Sequence, residues 1–218
     1  MLKLLRKTTV SALAVGLVLL GVPAAAQQAA TSAAIPPPSV SKDVNLARAG
    51  VYKLDTEHSS MIFRILHQQG ISFSTFRMPG LSGNLTWDPA NIETSKVEAT
   101  VSMNDVLTHV PGFGGEIAYE ARFFDAGKFP SAKFVSTVVK RTGPTTGTIT
   151  GDLTFKGKTY PMTWNTELTG VAKNRAGMTI IGLTATGVMK RSLWGYTSEP
   201  GNADEVHFIL DLEFDLPA

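Results

Sequence analysis

Alternation of apolar and polar residues dominates this chain from position 52 onward, and it predicts β-strands. One strand is expected at 60–67, where one face carries three large apolar side chains and a terminal imidazole: Met61, Phe63, Ile65 and His67. Such a row can line a pocket that has one polar end. It also fits an ordinary half-buried strand, so the rest of the chain has to distinguish the two.

The same alternation predicts further strands, joined by short turns. They are expected at 73–76, 81–87, 97–103, 132–140, 146–155, 159–170, 178–190 and 205–216. Lys156-Gly157-Lys158 predicts a tight hairpin turn between two of them. About eight strands with hairpin connections are typical of an antiparallel barrel or sandwich. An eight-stranded barrel is either filled by side chains or holds one small ligand.

The segment 104–129 interrupts this pattern. Asn104 or Asp105 could cap a short helix, the glycines of 111–115 predict a flexible elbow, and 116–124 could form one or two helical turns. Its length is that of a functional loop or lid. Phe123 and Phe124 would either plug one end of a barrel or line the mouth of an apolar cavity.

The N-terminal residues predict export. Lys3, Arg6 and Lys7 precede an almost unbroken apolar run at 10–22, and small residues then favour cleavage after Ala26. This is the pattern of a signal peptide at 1–26, which predicts a periplasmic protein. Residues 27–50 are rich in Ala, Ser and Pro and predict a flexible tether. The folded domain is expected at 51–218.

Composition narrows the classes of function. The chain of 218 residues is 43% hydrophobic, enough for one domain with a sizeable core. It has 20 Lys and Arg against 18 Asp and Glu; without the three basic residues of 1–26, 17 remain against 18. With no basic stripe, nucleic acid is not an expected partner. The absence of cysteine excludes thiolate chemistry. No later apolar run is long enough to span a bilayer, so no stable membrane insertion is predicted.

Candidate catalytic and metal-binding residues are few. Asp55, His58 and Ser59 lie within five positions at one strand corner, too close in sequence for a triad drawn from separate elements. We interpret them as a structural turn in which Asp55 and Ser59 satisfy backbone N–H groups and His58 packs on the barrel end. His109 is expected in a loop and His207 on a solvent face. The four histidines show no metal-ligand spacing, so no metal and no cofactor are predicted.

Four blocks in order resemble the YceI-like family of lipid-binding proteins. The first is Tyr52-x-Leu-Asp55-x-x-His58-Ser59 with Phe63 and His67, and the second is Phe123-Phe124-Asp125 followed by Phe129-Pro130. The third is Gly151-x-Leu153-Thr154-x-x-Gly157-x-Thr159-x-Pro161, and the fourth is Lys190-Arg191-Ser-x-Trp194-Gly195. Each block alone is weak, but four at the right spacing are specific.

The resemblance implies an eight-stranded, antiparallel, lipocalin-like all-β barrel with a short helical or loop insertion. It implies an isoprenoid or another long-chain lipid as ligand. Together with the strand pattern, it indicates these ligand-binding residues: Met61, Phe63, Ile65, His67, Phe123, Phe124, Arg191 and Trp194. One departure concerns the lid. The family usually has an acidic-His-Leu element before Phe-Phe-Asp, where this chain has residues 116–122 without histidine.

Three functions remain open at this point. The leading hypothesis is a periplasmic carrier, without catalysis, for an isoprenoid-like amphiphile. The second is an enzyme on the same barrel with His58 or His67 as base. The third is a stress-response interaction module whose interior is filled by side chains. A homodimer also stays open.

Overall fold

Ten β-strands and one α-helix make up the fold of the residues that the computed structural model describes, 39–196 and 201–217. The helix α1 spans Phe113–Tyr119, and short 3-10 helices lie at Val44–Leu46, Gln68–Gly70, Ile92–Thr94 and Arg191–Trp194. The strands are β1 (Gly50–Leu54), β2 (Ser60–His67), β3 (Ser72–Met78), β4 (Leu81–Trp87), β5 (Lys96–Ser102), β6 (Ser131–Arg141), β7 (Thr146–Phe155), β8 (Lys158–Lys173), β9 (Thr179–Lys190) and β10 (Glu205–Asp215).

Eight of these strands close into an antiparallel barrel in the order β1-β4-β5-β6-β7-β8-β9-β10, and β10 pairs back onto β1. The long β10 has two partners on that side. Its C-terminal end pairs with β1, with Leu54 opposite Phe214, and its first half pairs with β2, with Ile65 opposite Val206. The hairpin β2–β3 therefore extends the wall at one end. The eight-stranded antiparallel barrel expected from the sequence is confirmed.

The apolar face of each strand turns into the barrel. Along β10 the inward side chains alternate with residues that face outward, and the buried members are Val206, Phe208, Leu210 and Phe214. Each such side chain contributes about 1.5–3 kcal/mol when it is fully buried. The core is therefore the barrel interior itself.

A two-residue turn joins β7 to β8. Lys156 and Gly157 have φ values of 46° and 70°, which is the geometry of a type I′ turn. A Cβ on Gly157 would lie 2.9 Å from Cε1 of Phe129, so glycine also admits that ring against the turn. The predicted hairpin at this point is confirmed.

The packed part of the chain begins earlier than predicted. Val44 and Ala47 are buried against the core, and Ser41 forms a β-bridge with Val171. The predicted tether over 27–50 is therefore wrong for its last residues, and the start at residue 51 is too late. Val44 and Ala47 are isolated apolar residues without periodicity, so only their tertiary contacts reveal their role. The predicted signal peptide lies outside the described residues.

The helix in the irregular segment also differs in position from the prediction. It spans Phe113–Tyr119, so two glycines of the expected elbow lie inside it, and Asn104 and Asp105 cap no helix. One of these glycines has a packing role inside the helix, because a Cβ on Gly114 would lie 2.0 Å from the carbonyl oxygen of Val106. Among the described residues, no helix combines the length and the apolar character needed to cross a bilayer.

Candidate functional site: an apolar cavity with one polar end

A cavity of about 270 Å³ lies inside the barrel beside the β2–β3 hairpin. Side chains from β2, β3, α1 and from strands β5–β10 line it, and nearly all of them are apolar. The inner row of β2 contributes all four residues singled out from its alternation: Met61, Phe63, Ile65 and His67. The barrel interior is thus not filled by side chains, which argues against the solid-core module.

Aromatic rings form much of the cavity wall. Phe63 stacks on Phe76 of the paired strand, with ring centroids 4.7 Å apart and planes inclined by 16°. The ring of Phe124 lies 5.9 Å from Phe63 and 5.5 Å from Phe155, edge-on to the latter. The strands thereby join the segment after α1 in one continuous apolar surface.

Backbone hydrogen bonds to the last turn of α1 place Phe123 and Phe124 in this wall. The N–H of Phe124 donates to the carbonyl of Ile117 at 3.0 Å, and that of Ala126 donates to the carbonyl of Ala118 at 2.8 Å. These bonds satisfy carbonyls that have no partner within the helix. The end of α1 and the segment that carries Phe123 and Phe124 therefore form one unit over the cavity.

Lys156 attaches this unit to the barrel. Its Nζ donates to the carbonyl oxygen of Ala121 at 2.8 Å and to that of Phe123, and it lies 4.7 Å from the ring centre of Tyr196. Burial lowers the pKa of the Lys156 amine, and the charge of Asp125 opposes that effect. The turn β7–β8 thus holds one wall of the cavity in place.

Trp164 forms the floor of the cavity. Its indole meets Phe134 and Phe208 edge-on, with centroids 6.1 and 5.8 Å away. A second void, of about 70 Å³, lies on the other side of Trp164. Trp164 therefore separates two spaces of the interior.

Polar side chains gather at the opposite end of the cavity: His67, Ser74, Arg191, Tyr196 and Asn202. His67 is exposed, so this end opens toward the surface. Arg191 is only 6% exposed, and its Nη2 donates to the carbonyl of Asn202 across a long 3.4 Å. The hydroxyl of Tyr196 is buried and finds no hydrogen-bond partner among the described residues.

The electrostatics of this end keep Tyr196 neutral. Burial raises the pKa of the Tyr196 phenol well above its ordinary value, although the nearby Arg191 charge opposes this. A neutral phenol at that position can donate one hydrogen bond and accept others. The end therefore offers a guanidinium and a hydroxyl as donors to a guest molecule.

Seven of the eight residues predicted to bind ligand line this cavity, and Trp194 does not. Its indole is buried and packs edge-on against Tyr160, with centroids 5.1 Å apart. Trp194 thus lies outside the described lining, and its role in ligand binding stays a prediction. Sequence reasoning missed Tyr196 and Asn202, because they lie between two predicted strands where the sequence shows no alternation. It also missed Trp164, which only its position on the inward face of a strand could have suggested.

The corner at 55–59 is a structural turn, as expected. Asp55 Oδ1 accepts hydrogen bonds from the N–H groups of Glu57 and His58, and Ser59 Oγ accepts one from the N–H of Glu213 at 3.0 Å. His58 does not pack on the barrel end, because its side chain is 65% exposed and its Nδ1 lies 2.7 Å from Asp55 Oδ2.

A cation would find three ligand atoms at this corner. Atoms of Asp55, His58 and Glu213 lie within 4.8 Å of one another. The Asp55 carboxylate is, however, already engaged by two N–H groups and the imidazole. These hydrogen bonds account for the position of Asp55 and His58 as parts of the turn. Because His58 does not line the cavity, only His67 among the proposed bases adjoins it.

Residues 52–214 match the model of the YceI-like domain. The chain belongs to the YceI-like family. A UPF0312 protein of Pseudomonas putida (strain GB-1) is 36% identical over 169 residues, which are 77% of this chain and 85% of that protein. Protein YceI of Salmonella arizonae is 34% identical over 170 residues, which are 77% and 87% of the two chains. The resemblance that the four motif blocks indicated is confirmed.

Several solved structures share the fold. The YCEI protein of Campylobacter jejuni is 26% identical, with a TM-score of 0.63 over 68% of this chain and 88% of that one. BcnA of Burkholderia cenocepacia has a TM-score of 0.63 at 23% identity, over 73% and 98% of the two chains. A polyisoprenoid-binding domain of Saccharophagus degradans, implicated in plant cell wall breakdown, has a TM-score of 0.54 at 15% identity, over 76% and 98%.

Proposed function

We propose that this YceI-like protein binds an extended amphiphile, an isoprenoid or another long-chain lipid, in the barrel cavity and carries it without chemical change. The observation that carries this proposal is the distribution of polarity in the cavity. Its wall is apolar and aromatic from the Trp164 floor upward, and its polar groups lie at one end. Burial of a tail contributes about 25 cal/mol per Å² of apolar surface before the costs of association are subtracted.

The size of the cavity suits one slender guest. About 270 Å³ is close to the lower limit of roughly 300–1,000 Å³ found for small-molecule sites. A long isoprenoid would fill this space with part of its tail and would need more room, either past the exposed His67 or beyond Trp164. The domain of Saccharophagus degradans described as polyisoprenoid-binding supports the capacity of this fold for such a ligand.

The cellular setting of the proposal is the periplasm. It is supported by the basic, apolar and small-residue regions of 1–26, which together are the pattern of an export signal. A soluble carrier in that compartment would shield an apolar tail from water between two membranes or enzymes. Transport of the ligand is therefore the biological role we propose.

Native mass spectrometry of gently purified protein tests the binding function. We expect the full chain to retain a lipid adduct, or to take up added polyprenyl lipids in a one-to-one ratio. Ala132→Phe is a suitable blocked variant, because Ala132 lines the cavity and a ring there would occupy it. This variant should fold but take up less lipid. Repeated recovery of an empty wild-type barrel that takes up no added lipid would overturn the proposal.

His67 is the residue that distinguishes a carrier from an enzyme, because it is the histidine of the cavity lining. In our proposal it contacts the ligand, so His67→Ala should weaken binding and should abolish no reaction. Incubation of the wild type with bound lipid, followed by mass analysis of the lipid, should recover it unchanged. A chemical change that disappears in His67→Ala while binding persists would support catalysis.

A further inference from the structure

In the part of the chain that the structure describes, the polar end of the cavity contains a buried positive charge without a matching negative one. Arg191 is 6% exposed, and among residues 39–196 and 201–217 no carboxylate lies within 4 Å of its guanidinium. The described lining of the cavity includes no Asp, Glu or Lys. The guanidinium therefore brings a positive charge to this end of the cavity.

Asp204, the nearest acid along the chain among the residues that the structure describes, has other partners. The carboxylate of Asp204 accepts hydrogen bonds from the N–H and the hydroxyl of Ser192, both at 2.8 Å. The only bond that the guanidinium makes to the described residues is the 3.4 Å contact to the Asn202 carbonyl. Arg191 thus keeps most of its five N–H donors free for a guest.

A second unsatisfied group lines the same cavity. The Tyr196 hydroxyl is buried without a hydrogen-bond partner among the described residues. The ring of Tyr196 is held by Phe155, at a centroid distance of 6.1 Å, and by the ammonium of Lys156. Two donors, one of them charged, are therefore fixed beside an apolar cavity. Buried polar groups without partners are costly in proteins, and an acceptor in the guest would remove that cost.

We propose that the cavity selects amphiphiles whose headgroup is an oxyanion, a carboxylate or a phosphate, bound by the guanidinium of Arg191 and the hydroxyl of Tyr196. This inference rests on the proposed function, because it names the headgroup class of the same ligand. An oxyanion matches the fork of an arginine in two parallel hydrogen bonds. A neutral alcohol offers a single uncharged acceptor oxygen, and an amine would bring a second positive charge into the site.

A headgroup series with one constant tail tests the proposal. Laurate, lauryl phosphate, lauryl alcohol and laurylamine are titrated into the full-length protein below their micellar concentrations, by calorimetry or by displacement of a fluorescent lipid. At least one of the two anions should bind the wild type roughly tenfold or more tighter than the alcohol, as a charged hydrogen bond predicts. The amine should bind most weakly. Comparison of the two anions shows which oxyanion fits.

Two variants assign the preference to the named residues. Arg191→Met keeps the length of the side chain and should reduce the preference for the anion over the alcohol to about twofold or less, because a neutral side chain cannot make the charged bond. Affinity for the alcohol should change little. Tyr196→Phe, which removes one oxygen only, should lower anion affinity by a smaller factor. Arg175→Met, the same substitution at an exposed arginine that does not line the cavity, is the matched control and should leave the preference unchanged.

The outcomes separate the two proposals. Wild-type protein that binds the alcohol or the amine as tightly as both anions would overturn the oxyanion headgroup while lipid binding stands. Wild-type protein that binds none of the four ligands, nor any polyprenyl lipid, would overturn the binding function itself. An anion preference that persists in folded Arg191→Met would also overturn the assignment to Arg191.

Discussion

The indole of Trp164 meets the ring of Phe134 edge to face, with centroids 6.1 Å apart, and this pair closes the floor of the cavity. The main cavity of about 270 Å³ lies above Trp164, and a void of about 70 Å³ lies below it. One side chain therefore sets the depth to which an apolar tail can enter. The same contact contributes to stability, because it fills the centre of the barrel.

Trp164→Leu should deepen the cavity and shift ligand preference toward longer tails. Removal of the indole joins the two spaces, and each further methylene that enters adds up to about 0.8 kcal/mol. Stability should fall by about 2–4 kcal/mol, as for other large-to-small core changes. Affinities for a series of tail lengths, together with urea denaturation, measure both effects.

Trp87→Leu is the matched control for this experiment. Trp87 is equally buried, but it lines a separate void of about 60 Å³ away from the main cavity. The Trp87→Leu variant should lose stability without a change in the tail length that the protein prefers. If Trp164→Leu prefers the same length as the wild type, the floor does not limit the ligand.

Lys156→Met should loosen the wall that carries Phe123 and Phe124. The substitution removes hydrogen bonds from a charged amine to the carbonyls of Ala121 and Phe123, each worth about 1.5–3 kcal/mol at most. Hydrogen exchange at the amides of 121–126 should become faster, and lipid should dissociate sooner. Lys158→Met serves as control, because its Nζ makes one 3.5 Å contact. Unchanged exchange in Lys156→Met would contradict the anchoring role.

The pair Asp55–His58 should give the protein a window of greatest stability. The hydrogen bond that the His58 imidazole donates to Asp55 raises the pKa of His58 above its ordinary 6.5, and the same bond lowers the pKa of Asp55 below its ordinary 3.8. The contribution of His58 is complete below about pH 6.5 and is lost as the pH rises through its folded pKa. That of Asp55 is present above about pH 3.8 and is lost as the pH falls through its folded pKa.

His58→Asn tests this dependence. The melting temperature of the variant should differ most from the wild type at pH 4–6.5, and the difference should shrink at higher pH. His109→Asn, at an exposed position before α1, is the control and should follow the wild type. A difference between His58→Asn and the wild type that stays constant from pH 5 to pH 9 would refute a protonation effect.

Asp215→Asn should stabilise the fold at neutral pH. Desolvation, with the neighbouring charge of Asp55, raises the pKa of Asp215, and its Oδ1 is buried without a hydrogen-bond partner in the described part of the chain. A raised carboxyl pKa means that the charged form is disfavoured in the folded state, so stability is lost as the pH rises through the unfolded value near 3.8.

The uncharged amide of Asp215→Asn avoids this loss of stability, so the variant should have a melting temperature roughly 1–3 °C higher at pH 7. The gain should vanish below about pH 4, where Asp215 itself is neutral. Asp211→Asn changes an exposed acid of the same strand and should have little effect. Destabilisation by Asp215→Asn at pH 7 would show that the carboxylate has a favourable partner.

Most strands of this barrel and the hairpins between them could be predicted, because short turns join them and alternation sets which side chains face inward. The wall residues Met61, Phe63 and Ile65 follow from that parity alone. The packing role of Gly114 could not be predicted in this way: it lies inside the helix, and its missing side chain admits the Val106 carbonyl from outside the helix. Local propensity contains no information on such an approach.

The sequence by itself therefore determined the barrel, the inner row of β2 and the family, because period-two alternation and motif spacing are local properties. The tertiary structure decided which residues share the cavity. It brought Arg191 and Tyr196 together at one end, where no described carboxylate pairs with the guanidinium, and it placed Trp164 across the interior as a floor. It also packed the indole of Trp194 against the ring of Tyr160. Those relations arise only when strands distant in sequence close on one another.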